Sequence, residues 1–226
     1  MENEINKYEI EIIKTHDNSH TLFHHQFKER YHSIHGAINE SKHVFINKGL
    51  KIIDKEPIKV FEFGFGTGLN ALLTLIYSNQ HQLKIDYNTI EAYPLETEKI
   101  KKLNYLELLK VNELEEDFLN MHYAKDDETL DFGNMNFLKS TKKWEDFHSE
   151  KKFDLVYYDA FAPNVQPELW TVELFQKMYE MMEQEGILVT YCAKGYVKRN
   201  LKAAGFIIES IEGPPGKREM TRAVKL

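Results

Sequence analysis

The chain has 226 residues, 42% of them apolar and 29% charged, and a formal net charge of −7. That length suits one α/β domain with a full core and a small addition, and the acidic balance excludes indiscriminate nucleic-acid binding. No apolar run approaches the roughly 20 residues of a membrane span, MENEINKYEIEIIK lacks the features of a signal peptide, and the lone Cys192 excludes an internal disulfide framework and suits a reducing cytoplasm.

The first 57 residues read as an N-terminal extension too small to bury its own core. EIIKTHDNSHTLFHH predicts two short strands around the turn-rich triplet Asp17-Asn18-Ser19. Seven of the ten histidines (His16, His20, His24, His25, His32, His35 and His43) fall in this segment, yet no spacing among them fits a known ligand pair on an ordered element, the segment is strongly polar and no cysteine joins them. We therefore expect no metal, and a loop lining a substrate entrance instead.

From residue 58 to 226, β-rich runs alternate with helical patterns, the mark of a mostly parallel sheet with helices on both faces. The runs lie at 59–63, 84–92, about 129–132, 153–159, 187–192 and 206–211, with an alternating edge strand at 220–225. Helices are expected at 68–77, 95–103, 167–185 and 194–204, the last stopped by Gly205. Seven strands ending in a return hairpin fit a Rossmann-like class I methyltransferase better than a six-stranded dehydrogenase.

VFEFGFGTGLNALL places Gly64, Gly66 and Gly68 between a strand and a helix. Glycines there allow positive φ and close backbone approach to a ligand, and the helix N-terminus offers N–H groups to an electron-rich one. The spacing G-x-G-x-G is not that of dinucleotide folds, and no G-K-[ST] follows for a nucleotide phosphate. S-adenosylmethionine, which has a carboxylate but no pyrophosphate, suits it better. Glu62 would accept from that cofactor's ammonium group, and Glu91, closing the next strand in TIEAYP, from both ribose hydroxyls. A tight turn and an unrelated surface glutamate is the plain alternative. In LDFGNMNF, Asn134 is the candidate for the adenine amino group and Asp131 the second, against a simple Gly-Asn turn.

FDLVYYDAFAPNVQPELW ends an apolar strand on Asp159. Ligands of open α/β sheets lie beyond the carboxyl ends of the central strands, so Asp159 should face the methyl donor. There it would orient an incoming amine and accept its proton, with Phe161, Pro163 and Trp170 as an apolar wall for a nucleobase. Alternatively, Asp159 holds the loop and the rings fill core. From Cys192 onward Lys and Arg outnumber the acids, so the acidic body has a basic end that suits a local polyanion site.

FGFGTGLN, EAYPL, DAFAPNVQPELW, GYVKRNLKAAGF, GKREM and the early YHSIHGAINESKHVFI together make the chain resemble the methyltransferase domain of the MnmC family, the tRNA 5-methylaminomethyl-2-thiouridine biosynthesis proteins. The resemblance runs from about Tyr31 to Val224. It implies transfer of a methyl group from S-adenosylmethionine to the amine of 5-aminomethyl-uridine at the tRNA wobble position, in the cytoplasm. It also implies that Gly64, Phe65, Gly66, Thr67, Gly68, Asn70, Glu91 and Asp159 hold the cofactor. Tyr31, Lys194, Lys217, Arg218, Glu219 and Met220, with the Phe161–Pro163 loop, would lie near the substrate. Fused members carry a flavin-dependent oxidase domain, for which this sequence leaves no room before Leu226. The expectation is a stand-alone methyltransferase, fed by a separate oxidase or another upstream tRNA-modifying enzyme. The family tends to have Gly-Asp where this chain has Gly133-Asn134.

Overall fold

A computed structural model describes residues 10–126 and 128–226. The first nine residues, which belong to the 1–57 extension and to the stretch read for a leader, lie outside the described residues.

The chain opens on a small antiparallel sheet, β1 (Ile10–Lys14), β2 (His20–His24) and β3 (Glu29–Arg30). The expected turn joins its first two strands: the Asp17 carboxylate accepts from the Ser19 backbone N–H at 3.0 Å and the Thr15 hydroxyl at 2.7 Å. Helix α1 (Ala37–Ser41) follows and widens into π-helical turns over Lys42–Asn47.

Next come β4 (Ile58–Phe63), α2 (Leu69–His81) and β5 (Ile85–Ile90). Three short helices, α3 (Thr97–Ile100), α4 (Tyr105–Leu109) and α5 (Glu115–Tyr123), lead to the hairpin β6 (Thr129–Asp131) and β7 (Met135–Ser140). The chain then forms β8 (Phe153–Tyr158), α6 (Val172–Glu180), β9 (Met182–Thr190) and α7 (Gly195–Ala203), and closes on β10 (Ile207–Glu212) and β11 (Glu219–Val224).

The main sheet has eight strands in the order β10-β11-β9-β8-β4-β5-β7-β6. Its five central strands, β9 to β7, are mutually parallel, and β11 enters antiparallel between β10 and β9. Strand alternation sorts the core onto the two faces. Val60, Tyr87, Leu155 and Tyr157 pack with α2, α5 and the N-terminal segment; Phe61, Phe63, Val156 and Tyr158 pack with α6 and α7. Glu62 and Asp159, two and four positions from Val60 and Leu155, fall on the α2 face.

The sheet differs from the expected one at the third strand. The run at 129–132 is a short antiparallel edge strand, and the parallel strand is β7, six residues later. The Gly133-Asn134 turn made the approach to a hairpin look like the end of a strand. The 167–185 helix also stops early, at Glu180, because buried Met181 and Met182 carry the chain into β9, which absorbs Glu185 (φ 62°) as an irregularity against β8. Only Thr97–Ile100 of the 95–103 segment is helical. Among the described residues no helix is long and apolar enough to cross a membrane.

Candidate active site

The carboxyl ends of β4, β5, β7 and β8 open into one cavity of about 260 Å³. Its floor is Gly64, Gly66, Glu91 and Asp159. The glycine loop lies tight against β8. Gly64 has φ 92°, and a Cβ there would stand 2.7 Å from the Asp159 carbonyl oxygen. Gly68, at φ 73°, caps α2, and a Cβ there would meet the His122 ring at 2.8 Å. Gly64→Ala is therefore expected to cost about 1–3 kcal/mol of stability and to weaken cofactor binding by roughly tenfold or more. Calorimetric melting and titration of the variant would check both.

Glu91 ties this loop to the end of β5. One carboxylate oxygen accepts from the Gly66 N–H at 2.8 Å, the other from the Tyr93 N–H at 2.9 Å. Burial pushes its pKa up, against the pull of those two N–H groups and of Lys139. Each oxygen keeps a lone pair for a diol hydroxyl. Lys139 itself is buried and donates to the Met121 and His122 carbonyls at the C-terminal end of α5, with its ammonium 5.5 Å from the Phe65 ring centre. Burial lowers its pKa to about 8.

Asp159 forms the opposite wall. Its Oδ2 accepts from the Asn70 side-chain amide at 2.8 Å. Burial raises its pKa to about 7, aided by Glu40 and opposed by the Asn70 bond and Lys217. Over this carboxylate sits a ring cluster. Phe161 makes edge contacts with Tyr31 (4.9 Å between centroids), Phe27 (5.4 Å) and His24 (6.3 Å), and Tyr31 covers Gly66. The N-terminal sheet is thus the roof of the cavity.

The remaining candidates divide sharply. Phe65 and Thr67 are buried in the loop's underside, Phe65 against His122 and Phe137, and Thr67 accepting from the Tyr105 hydroxyl at 3.2 Å. Glu62 is corrected as a cofactor contact: strand alternation turns it under α2, fully buried, with its Oε2 on the Thr89 hydroxyl at 2.8 Å, and it does not line the cavity. Asn134 and Asp131 are corrected as adenine contacts. They belong to the β6–β7 turn at the amino ends of the strands, where Asn134 donates to Asn79 and Asp131 accepts from the Gly133 N–H. The carboxyl ends of β5 and β7 instead present Tyr93, Lys142, Lys143, Trp144 and Glu145 to the cavity.

Of the expected apolar wall only Phe161 lines the cavity. Pro163 is buried outside it, and Trp170 is a strut: its indole N–H donates to the Phe161 carbonyl at 2.9 Å from behind the loop. The GKREM segment is likewise set back. Lys217 bridges to Glu40 at 2.7 Å and lies over the Tyr191 ring at 4.2 Å; the Tyr191 hydroxyl in turn donates to the Ala160 carbonyl. Glu219 pairs with Lys198, Met220 is core, Arg218 is exposed, and Lys194 donates to Asn164. None of the five lines the cavity. Sequence reasoning missed His24, Phe27 and Arg30, although HTLFHHQFKER interleaves rings with charge, and it missed Tyr191 and the TKKWE segment after β7.

The histidines make no single cluster: His20 meets the Lys102 carbonyl, His32 the Thr21 hydroxyl and His43 the Glu212 carbonyl, while His16 and His35 meet edge-on with ring centroids 5.4 Å apart. Among the described residues no group of three or more His, Cys, Asp or Glu could hold a metal ion.

A profile for the family described as S-adenosyl-L-methionine-dependent methyltransferase matches residues 96–226, more than half of the chain. The chain belongs to that family. The methyltransferase is 28% identical over 222 residues to an uncharacterized protein of Methanocaldococcus jannaschii, covering 97% of this chain and 60% of that protein. It is 29% and 30% identical to the tRNA 5-methylaminomethyl-2-thiouridine biosynthesis bifunctional proteins MnmC of Pseudoalteromonas atlantica and Campylobacter hominis. Those matches take in 88% and 89% of this chain but 31% of each bifunctional protein. The crystal structure of MNMC2 from Aquifex aeolicus superposes with a TM-score of 0.75 at 24% identity, covering 97% of this chain and 71% of that one, which establishes the shared fold.

The methyltransferase's cofactor is S-adenosylmethionine, and the floor of the cavity fits it. A Cβ at Gly64 would clash with the wall, and both Glu91 oxygens stand fixed by backbone N–H groups.

Proposed function

We propose that this methyltransferase methylates the amine of 5-aminomethyl-(2-thio)uridine at the tRNA wobble position, giving 5-methylaminomethyl-(2-thio)uridine. The observation that carries this reading is the carboxylate of Asp159, held by Asn70 in the cavity wall beneath the rings of Phe161, Tyr31 and Phe27. An acceptor for an amine stands beside a surface on which a base can stack. The names of the MnmC relatives support the same substrate.

S-adenosylmethionine, when bound, supplies the electrophilic methyl group. Glu91 accepts from the ribose hydroxyls, the loop from Gly64 to Gly68 approaches the amino-acid end, and Tyr93 and Trp144 flank the base. Asp159 takes a hydrogen bond from the substrate amine, aims its lone pair and removes its proton. Arg30, Lys142 and Lys143, exposed at the rim, meet phosphates, with Lys194 and Arg218 further out. In this reading 58–226 is the methyltransferase domain, 1–57 supplies the roof, and the enzyme works in the cytoplasm beside whatever oxidase or other enzyme releases the aminomethyl group.

Incubation with tRNA from cells lacking the methylation step tests this. The expected product is aminomethyl-uridine heavier by one CH₂, read by nucleoside mass spectrometry. Methylation of free amines with none on tRNA would overturn the substrate in favour of a small-molecule or protein amine. Binding of tRNA should also weaken about tenfold or more between low and physiological salt, measured by filter retention; a flat salt response would remove the rim cations from the interface.

A further inference from the structure

We propose that Glu62 and Asp159 share one proton through the side-chain amide of Asn70, and that Glu62 holds it while Asp159 stands ready for the amine. Three buried polar atoms around Glu62 have no hydrogen-bond partner among the described residues: Glu62 Oε1, Asn70 Oδ1 and the Tyr87 hydroxyl. The side chains of Asn70 and Tyr87 both act on the buried Glu62 carboxyl. Asn70 Nδ2 is taken by Asp159, so an ionised Glu62 leaves its Oε1 and Asn70 Oδ1 as two buried acceptors with no donor for either, where an unmade bond carries the full desolvation cost.

A single proton on Glu62 Oε1 removes the conflict. It donates to Asn70 Oδ1, which fixes the amide so that Nδ2 points at Asp159, the 2.8 Å bond present in the structure. The Tyr87 hydroxyl then donates to the remaining lone pair of Oε1, while Thr89 already serves Oε2. All three orphans are satisfied. Turning the amide over would send Nδ2 to Glu62 and Oδ1 to Asp159, which in turn requires the proton on Asp159. In both arrangements the trio holds one proton.

The order of the two carboxyls follows from their surroundings. Burial pushes both carboxyls up, and the Asn70 amide, with its Nδ2 on Asp159 and its oxygen left for a donor, assigns the proton to Glu62. The ionisable groups facing Glu62 are Asp159 from the end of β8, Tyr87 from β5 and Tyr157 from β8. Lys217 and Glu40 act on the Asp159 side. Glu62 touches neither cavity nor substrate. It is a positioning residue that keeps the second oxygen of Asp159 an acceptor, and this part rests on the reading of Asp159 given above.

The test uses the whole chain. With ¹³C confined to glutamate, the infrared spectrum at pH 7 should contain a protonated-carboxyl band that shifts with the label and is missing from Glu62→Gln. A carboxamide can donate to Asn70 as the neutral acid does, so Glu62→Gln should keep kcat within about threefold, whereas Glu62→Ala should lose about tenfold or more in kcat at unchanged cofactor affinity. Between the ordinary glutamate value of 4.5 and about 8 the folded state holds a proton that the unfolded state has lost. Stability must therefore fall as pH rises through that window, and Tm should fall less in Glu62→Gln than in the wild type. Absence of the band, or equal slopes of Tm against pH, would overturn the shared proton. Equal activity of Glu62→Ala and wild type would sever Glu62 from Asp159 and overturn it as well. Failure on tRNA would strike the substrate reading instead, because the infrared and melting measurements need no substrate.

Discussion

Asp159→Asn is expected to lower kcat by about 10²–10⁴ while leaving the affinity for S-adenosylmethionine within about tenfold. The asymmetry follows from the site. The carboxylate has one oxygen on Asn70 and the other toward the cavity, so the substitution preserves shape and most packing but removes the acceptor. The asparagine can also set its own N–H against that of Asn70, turning a bond into a repulsion. The pH profile gives a second reading. Burial holds the Asp159 pKa near 7, so the acid form dominates below that value and cannot take a proton from an amine. The wild-type kcat/KM should rise with pH through about 7, and the residual activity of Asp159→Asn should lack that limb. Near-wild-type turnover in the variant, measured by methyl transfer from labelled cofactor, would remove Asp159 from the reaction.

Glu91→Ala should do the reverse, weakening cofactor binding by about 10²-fold with kcat at saturating cofactor within a few fold. In the proposed binding mode the substitution removes two acceptors for the ribose, and it also frees the Gly66 and Tyr93 N–H groups that Glu91 holds at 2.8 and 2.9 Å. Hydrogen bonds to a charged group each contribute about 1.5–3 kcal/mol, so the loss of even one is measurable by titration calorimetry. Glu91→Gln should recover little, because its amide nitrogen would meet one of those backbone donors head-on. Unchanged affinity in Glu91→Ala would take the residue out of the cofactor site.

The places of Glu91 and Asp159, on which both predictions rest, were legible in the sequence because they are strand ends. An acid that closes an apolar run, and glycines between a strand and a helix, have their positions dictated by the parallel sheet. Glu91, Asp159, Gly64 and Gly66 accordingly meet on one floor. What failed was direction and burial. Glu62 carries the same chemistry as Glu91, but side-chain alternation turns it beneath α2, and a count from the loop does not reveal that. Asn134 failed because a hairpin's first strand and a parallel strand look alike over four residues. That error also hid Trp144, since the segment after β7 was no longer read as a strand end. Trp170 is large and apolar enough for either wall or strut, and only the indole bond to the Phe161 carbonyl decides between them. The roof was legible in part, as a histidine-rich segment expected to line a substrate entrance with Tyr31 near the substrate, but not the ring contacts that build it. Tyr31 and Phe27 reach Phe161 from more than a hundred residues away, and nothing local announces the meeting.

That roof has a consequence for substitution. The groups assigned to the methyl donor sit at the ends of sheet strands, locked by the same packing that stabilises the domain. Most of the rings that face the acceptor belong to a short hairpin before residue 32 and touch the site through ring edges rather than a shared strand ladder. Substitution of Phe27, which meets Phe161 by a ring edge, can therefore re-shape that side of the cavity while the strand ends stay put, whereas Tyr31, which also covers Gly66, ties the roof to the glycine loop.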